Sequence, residues 1–175
     1  MKFTLLTHSK EIVKRSNTGR LVLDVLGRDA EQIRWDRLNP PAGLLEEIET
    51  GQVALVYPGA TDENNAGLSG ITRVILIDGT WHEARKIHQR SPYLQKVRRI
   101  CLVPGGTSRY NLRKNQKKDC LCTAECVIEV LRNAGKTVAA DQLEARFLEF
   151  IKPAPTSAAV IALHCSSLAS LDRLA

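Results

Sequence analysis

The stretch Arg73-Val74-Ile75-Leu76-Ile77-Asp78-Gly79-Thr80-Trp81-His82-Glu83-Ala84 sets a carboxylate and a glycine where a β-branched apolar run gives way to a helical pattern. The run reads as a buried strand, and open parallel sheets hold their ligands outside the carboxyl ends of strands. Asp78 is therefore the first residue expected to do chemistry, as a proton acceptor at a strand end. The competing reading is a turn in which Asp78 or Thr80 caps the helix that follows.

The charge pattern downstream points to the partner. Arg85, Lys86, Arg90, Lys96, Arg98, Arg99, Arg109, Arg113, Lys114, Lys117 and Lys118 are eleven basic residues in a segment with no Asp or Glu. The chain holds 25 Lys and Arg against 19 Asp and Glu, so the rest of it is acidic on balance and the positive charge is local. Such a segment repels itself unless a polyanion neutralises it, and phosphate contacts release condensed counterions, so a nucleic acid is the expected partner. A solvated basic face is the alternative.

Other constellations are weaker. His8-Ser9-Lys10-Glu11 follows a first strand, and Ser16-Asn17-Thr18-Gly19-Arg20-Leu21 opens a helix whose amino terminus has donors for an anion. Pro104-Gly105-Gly106-Thr107-Ser108-Arg109-Tyr110-Asn111-Leu112-Arg113-Lys114 is a glycine-opened loop with arginines suited to carboxylate or phosphate. It has neither a P-loop ending nor dinucleotide spacing, so ATP and NAD are unsupported. Cys120-Leu121-Cys122-Thr123-Ala124-Glu125-Cys126 provides no paired ligand spacing for zinc, and is read as a helix start with Thr123 as its cap.

These residues need elements to hold them. Short buried strands are expected at Phe3–Thr7, Val53–Tyr57, Arg73–Ile77 and Arg98–Val103, with a weaker one at Gln32–Trp35. Helical periodicity marks Ser9–Arg15, Thr18–Leu26, Pro41–Glu49, Thr80–Arg90, Thr123–Asn133 and Thr137–Ile151. The alternation predicts one α/β domain over residues 1–175 with a largely parallel sheet flanked by helices. An Ala-, Ser- and Leu-rich run at 157–174 reads as a last helix or docked tail. No stretch approaches the roughly 20 apolar residues of a membrane span, and the amino terminus has no signal-peptide layout. Five cysteines fit reduced thiols better than a disulfide framework, and a cytoplasmic location is expected.

Taken in order, His8-x-x-Glu11 with Asn17-Thr18-Gly19-x-Leu21, Ile77-Asp78-Gly79-Thr80-Trp81-x-x-Ala84, Ser108-x-Tyr110-x-Leu112-Arg113-Lys114 and Leu121-Cys122-Thr123-Ala124-Glu125 resemble the DTW-domain family. The resemblance runs from about Phe3 to Val130. It implies a SPOUT-like fold with a trefoil knot and transfer of the 3-amino-3-carboxypropyl group of S-adenosylmethionine to N3 of a tRNA uridine, releasing methylthioadenosine. One departure is that nothing like the cysteine cluster of many members precedes Lys2, so no metal is expected.

The resemblance also assigns roles. Asp78, taken as exposed, would be the general base. The cofactor would lie against Leu76, Gly79, Thr80, Val103, Pro104, Gly105, Leu112, Arg113, Leu121, Cys122 and Thr123, with Arg113 on the methionine carboxylate. Asn17, Thr18, Arg85, Lys86, Lys114, Lys117 and Lys118 would meet the RNA, with Trp81 or Tyr110 stacked on the uracil. A methyltransferase of the same fold and a non-catalytic RNA-binding module are the rival readings.

Overall fold

A computed structural model describes residues 1–58, 67–102, 108–110 and 121–152. Strands β1 (Lys2–Thr7), β2 (Ala30–Arg34), β3 (Val53–Val56), β4 (Arg73–Asp78) and β5 (Arg98–Ile100) form a parallel sheet in the order β2-β1-β4-β3-β5. Helices α1 (Ser9–Ile12), α2 (Gly19–Leu26), α3 (Ala42–Glu49), α4 (Trp81–Gln89), α5 (Pro92–Gln95), α6 (Thr123–Asn133) and α7 (Thr137–Ile151) complete the described elements, with a one-turn 3-10 helix at Gly27–Asp29.

Parallel sheets need cover on both faces, and the strand sequences are apolar on both accordingly. Phe3, Leu5, Val74 and Leu76 face one way and pack with Leu21 and Val22 of α2, Val127, Ile128 and Leu131 of α6, and Leu143 and Phe147 of α7. Leu6, Leu55 and Ile75 face the other way, against Leu44 of α3, Ile87 of α4 and Leu94 of α5. Among the described residues no helix is long and apolar enough to cross a membrane.

The expected strands and helices are present, with differences that have local causes. β5 stops at Ile100 rather than Val103, because its neighbour β3 ends at Val56, the partner of Ile100. α1 is one turn rather than seven residues: Ile12, its last residue, is 39% exposed and Val13 beyond it 83%, so no buried apolar face extends the helix. α5 was not foreseen, since four residues carry no readable period; a proline starts it and buried Leu94 anchors it. The strand order alone does not carry the trefoil knot, and segments 103–107 and 111–120 between β5 and α6 lie outside the described residues, as does the run at 157–174.

β4 begins and ends on buried charges. Arg73 is 6% exposed and donates to Thr4 Oγ1 at 2.5 Å, to Glu31 of β2, and to Glu47 of α3 at 2.5 and 2.7 Å. It fastens the amino end of the central strand to its neighbours on the α3 side. Arg73→Ala strands Thr4 and both glutamates, but those glutamates are half-exposed and can rehydrate. The expected loss of stability is thus about 2 kcal/mol, below the larger costs seen when both charges are buried, and urea denaturation checks it.

Candidate active site

β1 and β4 run side by side to Thr7 and Asp78, which are in register. With a period of two, Asp78 shares the face of Val74 and Leu76, and Thr7 shares that of Phe3 and Leu5. The apolar column therefore ends in a carboxylate facing α2 and α6, and Asp78 is buried at 1% exposure rather than exposed as expected. A buried carboxylate needs donors, and three converge. Asn17 Nδ2 donates to Asp78 Oδ2 at 2.8 Å, Thr123 Oγ1 donates to Oδ1 at 2.8 Å, and the Thr7 hydroxyl lies 3.2 Å from Oδ2 and from Leu5 O. The His8 amide donates to Asp78 O at 3.1 Å, closing the strand ends together.

The surrounding residues are fitted to this cluster. Asn17 spends its second proton on Glu11 O at 2.9 Å, and its Oδ1 accepts from Gly19 N at 2.6 Å. Thr18 accepts from Ala124 N at 3.3 Å, so the start of α2 is tied to the start of α6. Asn17 and Thr18 are buried and committed, which corrects their expected role as donors to RNA. Thr123 does not cap α6 either: Cys122 holds that position, and the Thr123 hydroxyl turns to the Asp78 charge instead. The Asp78-Gly79-Thr80 turn splits the two readings, for Thr80 caps α4 in a reciprocal box with Glu83 while Asp78 points inward.

A second carboxylate organises the neighbouring loops. Glu125 accepts from Ser108 Oγ at 2.6 Å, Arg109 N at 2.7 Å and Cys122 N at 2.8 Å, so it holds 108–109 against the entry to α6. Arg109 also reaches Glu144 of α7. Tyr110 donates to Ser16 O at 2.6 Å and its ring lies in the core at 5% exposure, which removes it as a stacking surface for a base. Burial, then the nearby Glu125, pushes the Cys122 thiol up to about 12, so it is a neutral wall and not a nucleophile.

Of the expected cofactor residues, Leu76 is buried in β4, Gly79 and Thr80 form the turn, and Leu121, Cys122 and Thr123 stand at the entry to α6. Val103, Pro104, Gly105, Leu112 and Arg113 lie outside the described residues, as do Lys114, Lys117 and Lys118. Trp81 is half-buried at the start of α4, with Arg85 and Lys86 exposed along that helix. The sequence did not single out Thr7 or the organising role of Glu125. Thr7 was signalled only by the register of two strands, whereas Glu125, three residues after Cys122, carried the spacing of a capping carboxylate.

Fold and site together define an α/β protein in which three separated polar motifs close on one strand-end carboxylate. Residues 1–154 match the DTW domain, and the chain belongs to the DTW-domain family. Over 93 residues it is 32% identical to tRNA-uridine aminocarboxypropyltransferase 2 of Drosophila melanogaster, an alignment covering 51% of this chain and 37% of that protein. No solved structure gives a significant match.

Two outcomes test this geometry. A Cβ on Gly19 would lie 2.8 Å from Asp78 Oδ2 and 2.9 Å from Asn17 Oδ1, whereas one on Gly43 meets nothing within 4 Å. Gly19→Ala should lower stability by about 1–3 kcal/mol and Gly43→Ala should not, as read by urea denaturation. The His88 imidazole on α4 is held below its ordinary value by burial, and secondarily by Arg99. A depressed histidine gives stability that is full above its unfolded value, about 6.5, and is lost as pH falls through the folded one. Melting temperature should fall as pH is lowered from neutral, and fall less in His88→Phe.

Proposed function

We propose that this chain transfers the 3-amino-3-carboxypropyl group of S-adenosylmethionine to N3 of a uridine in tRNA. The observation that carries the reading is the convergence of the Asn17-Thr18-Gly19, Asp78-Gly79-Thr80 and Thr123-Ala124-Glu125 motifs on the Asp78 carboxylate, in a chain whose family match spans residues 1–154. The name of the fly relative supports the same reaction, although little more than a third of that protein is covered.

The described residues fit a nucleoside. Leu102 and Cys122, partly buried, pack against the cluster that holds Leu76, which makes an uncharged wall at the carboxyl edge of the sheet. Leu76, Gly79, Thr80, Leu121, Cys122 and Thr123 would line the cofactor site, with Val103, Pro104, Gly105, Leu112 and the Arg113 carboxylate anchor completing it. When bound, S-adenosylmethionine supplies a carbon activated by its sulfonium and leaves as neutral methylthioadenosine.

The residues of the chain have two tasks. Uridine N3 attacks poorly while protonated, so Asp78 accepts that proton. A carboxylate has about four acceptor positions, and the Thr7, Asn17 and Thr123 donors occupy three, leaving one on Oδ1 among the described groups. The same three donors fix the carboxylate, and fixed geometry is itself worth several kcal/mol of barrier. Arg85 and Lys86, with Lys114, Lys117 and Lys118, carry the phosphate contacts. A SPOUT-like knot belongs to the same proposal.

Incubating total tRNA with S-adenosylmethionine labelled at the carboxyl carbon should put label into the RNA. Methyl transfer would leave the label on the small molecule, and an RNA-binding module would transfer nothing. Asp78→Asn should lower turnover by about two to four powers of ten while calorimetric S-adenosylmethionine affinity stays nearly unchanged. Parallel loss of affinity and turnover would make Asp78 a positioning residue instead.

A further inference from the structure

The same edge of the sheet carries a second grouping, on the face away from Asp78. Tyr57 directly follows β3, its amide bonded to Ile100 O at 3.2 Å. Its ring stacks on the His88 imidazole with centroids 4.1 Å apart and planes 11° apart. Trp81 meets Tyr57 edge-on at 6.4 Å, and the Arg99 guanidinium lies 6.0 Å from the Tyr57 ring centroid. Tyr57 packs on the cluster of Leu55, Ile75 and Ile87, yet all four side chains are only partly buried. Rings serving the core alone would be covered, as Phe3 and Phe147 are.

The segment that supplies His88 and Arg99 indicates what such rings meet. From Ala84 to Leu102 the chain carries Arg85, Lys86, Arg90, Lys96, Arg98 and Arg99, and no Asp or Glu. The nearest acid on α4, Glu83, is committed to Thr80. Aromatic faces beside arginine on a positive surface suit an unpaired nucleobase, which stacks on the ring while its phosphates meet the cations. Because burial, more than Arg99, keeps the His88 ring below its ordinary value, it stacks as the neutral form at pH 7.

We propose that Tyr57, His88 and Trp81, with Arg99, form a stacking platform for an unpaired RNA base next to the acceptor nucleotide. Trp81 starts α4 three residues after Asp78, so a base on this platform lies beside one presented at the Asp78 turn. Naming RNA, and an acceptor, rests on the proposed function; the stacking rests on the rings.

The test uses the full chain with two fluorescent probes, a short oligouridine and the same backbone with abasic sugars. In fluorescence anisotropy the parent should prefer oligouridine, and Tyr57→Leu, which keeps apolar bulk without a π face, should lose about tenfold on oligouridine and nothing on the abasic strand. Tyr57→Phe should bind like the parent. Should Tyr57→Leu fail to fold, Trp35→Phe leaves Trp81 as the sole tryptophan, and its emission should be quenched by oligouridine but not by the abasic strand. Equal binding of both probes by the parent, unchanged oligouridine binding in Tyr57→Leu, or unquenched Trp81 overturns the platform. Label transfer to tRNA without a stacking signal sinks the platform alone, and stacking without label transfer sinks the transferase reading alone.

Discussion

Burying a carboxylate at the end of an apolar column is the constraint around which this fold closes. Asp78 follows Val74 and Leu76 on the face covered by α2 and α6, where an ionised group without donors would cost several kcal/mol. Each donor comes from a different part of the chain: Thr7 from the neighbouring strand, Asn17 from the turn before α2, Thr123 from the first turn of α6. Satisfying one charge therefore fixes where two helices begin. Gly19 is small because the carboxylate and Asn17 leave no room for a side chain there. A charge-assisted network of this kind rigidifies its surroundings only when every member is paired, and Asn17 has both protons and its oxygen in use.

The sequence made the layers legible because periodicity encodes them. β1, β3 and β4 read as continuous apolar runs since both faces are buried, and α6 and α7 were bounded as they stand. The motifs around Asp78 were legible as types of residue in order. Their mutual geometry was not, because contacts across 61 and 45 residues leave no local pattern. This is why Asp78 was expected in solvent, Thr123 as a cap, and Tyr110 as a stacking ring. Tyr57 and His88 escaped notice for the same reason: each is unremarkable in its own segment, and only the packing of β3 beside β4 and α4 brings the rings together.

The Asp78-Gly79-Thr80 turn also divides labour between the two faces of the sheet. Asp78 looks back towards α2 and α6, while Thr80 and Glu83 cap α4 on the opposite face. Glu83 feels burial pulling its carboxyl up, but the Thr80 amide and hydroxyl, with His8 and Lys14, hold it below its ordinary value. The box thus survives as an ionised cap, and it fixes the direction in which Trp81 leaves the turn. A turn pinned from both sides keeps the Asp78 carboxylate and the Trp81 ring at a constant separation.

That arrangement has a consequence for how an acceptor nucleotide can be read. Hydrogen bonds to a uracil edge and stacking on its neighbour recognise different things, since every base has a π face but few present a proton at the position a carboxylate can take. On the proposed reading a platform of rings gives affinity for any unpaired strand, and the Asp78 turn gives the choice of base. On that reading the two tasks fall on opposite faces of the sheet, so ring packing would govern how tightly RNA is held, and Asp78, Asn17 and Thr123 what happens to it. Through the Asp78-Gly79-Thr80 turn the chain joins a buried, hydrogen-bonded carboxylate on one face of the sheet to a capped helix that begins at Trp81 on the other.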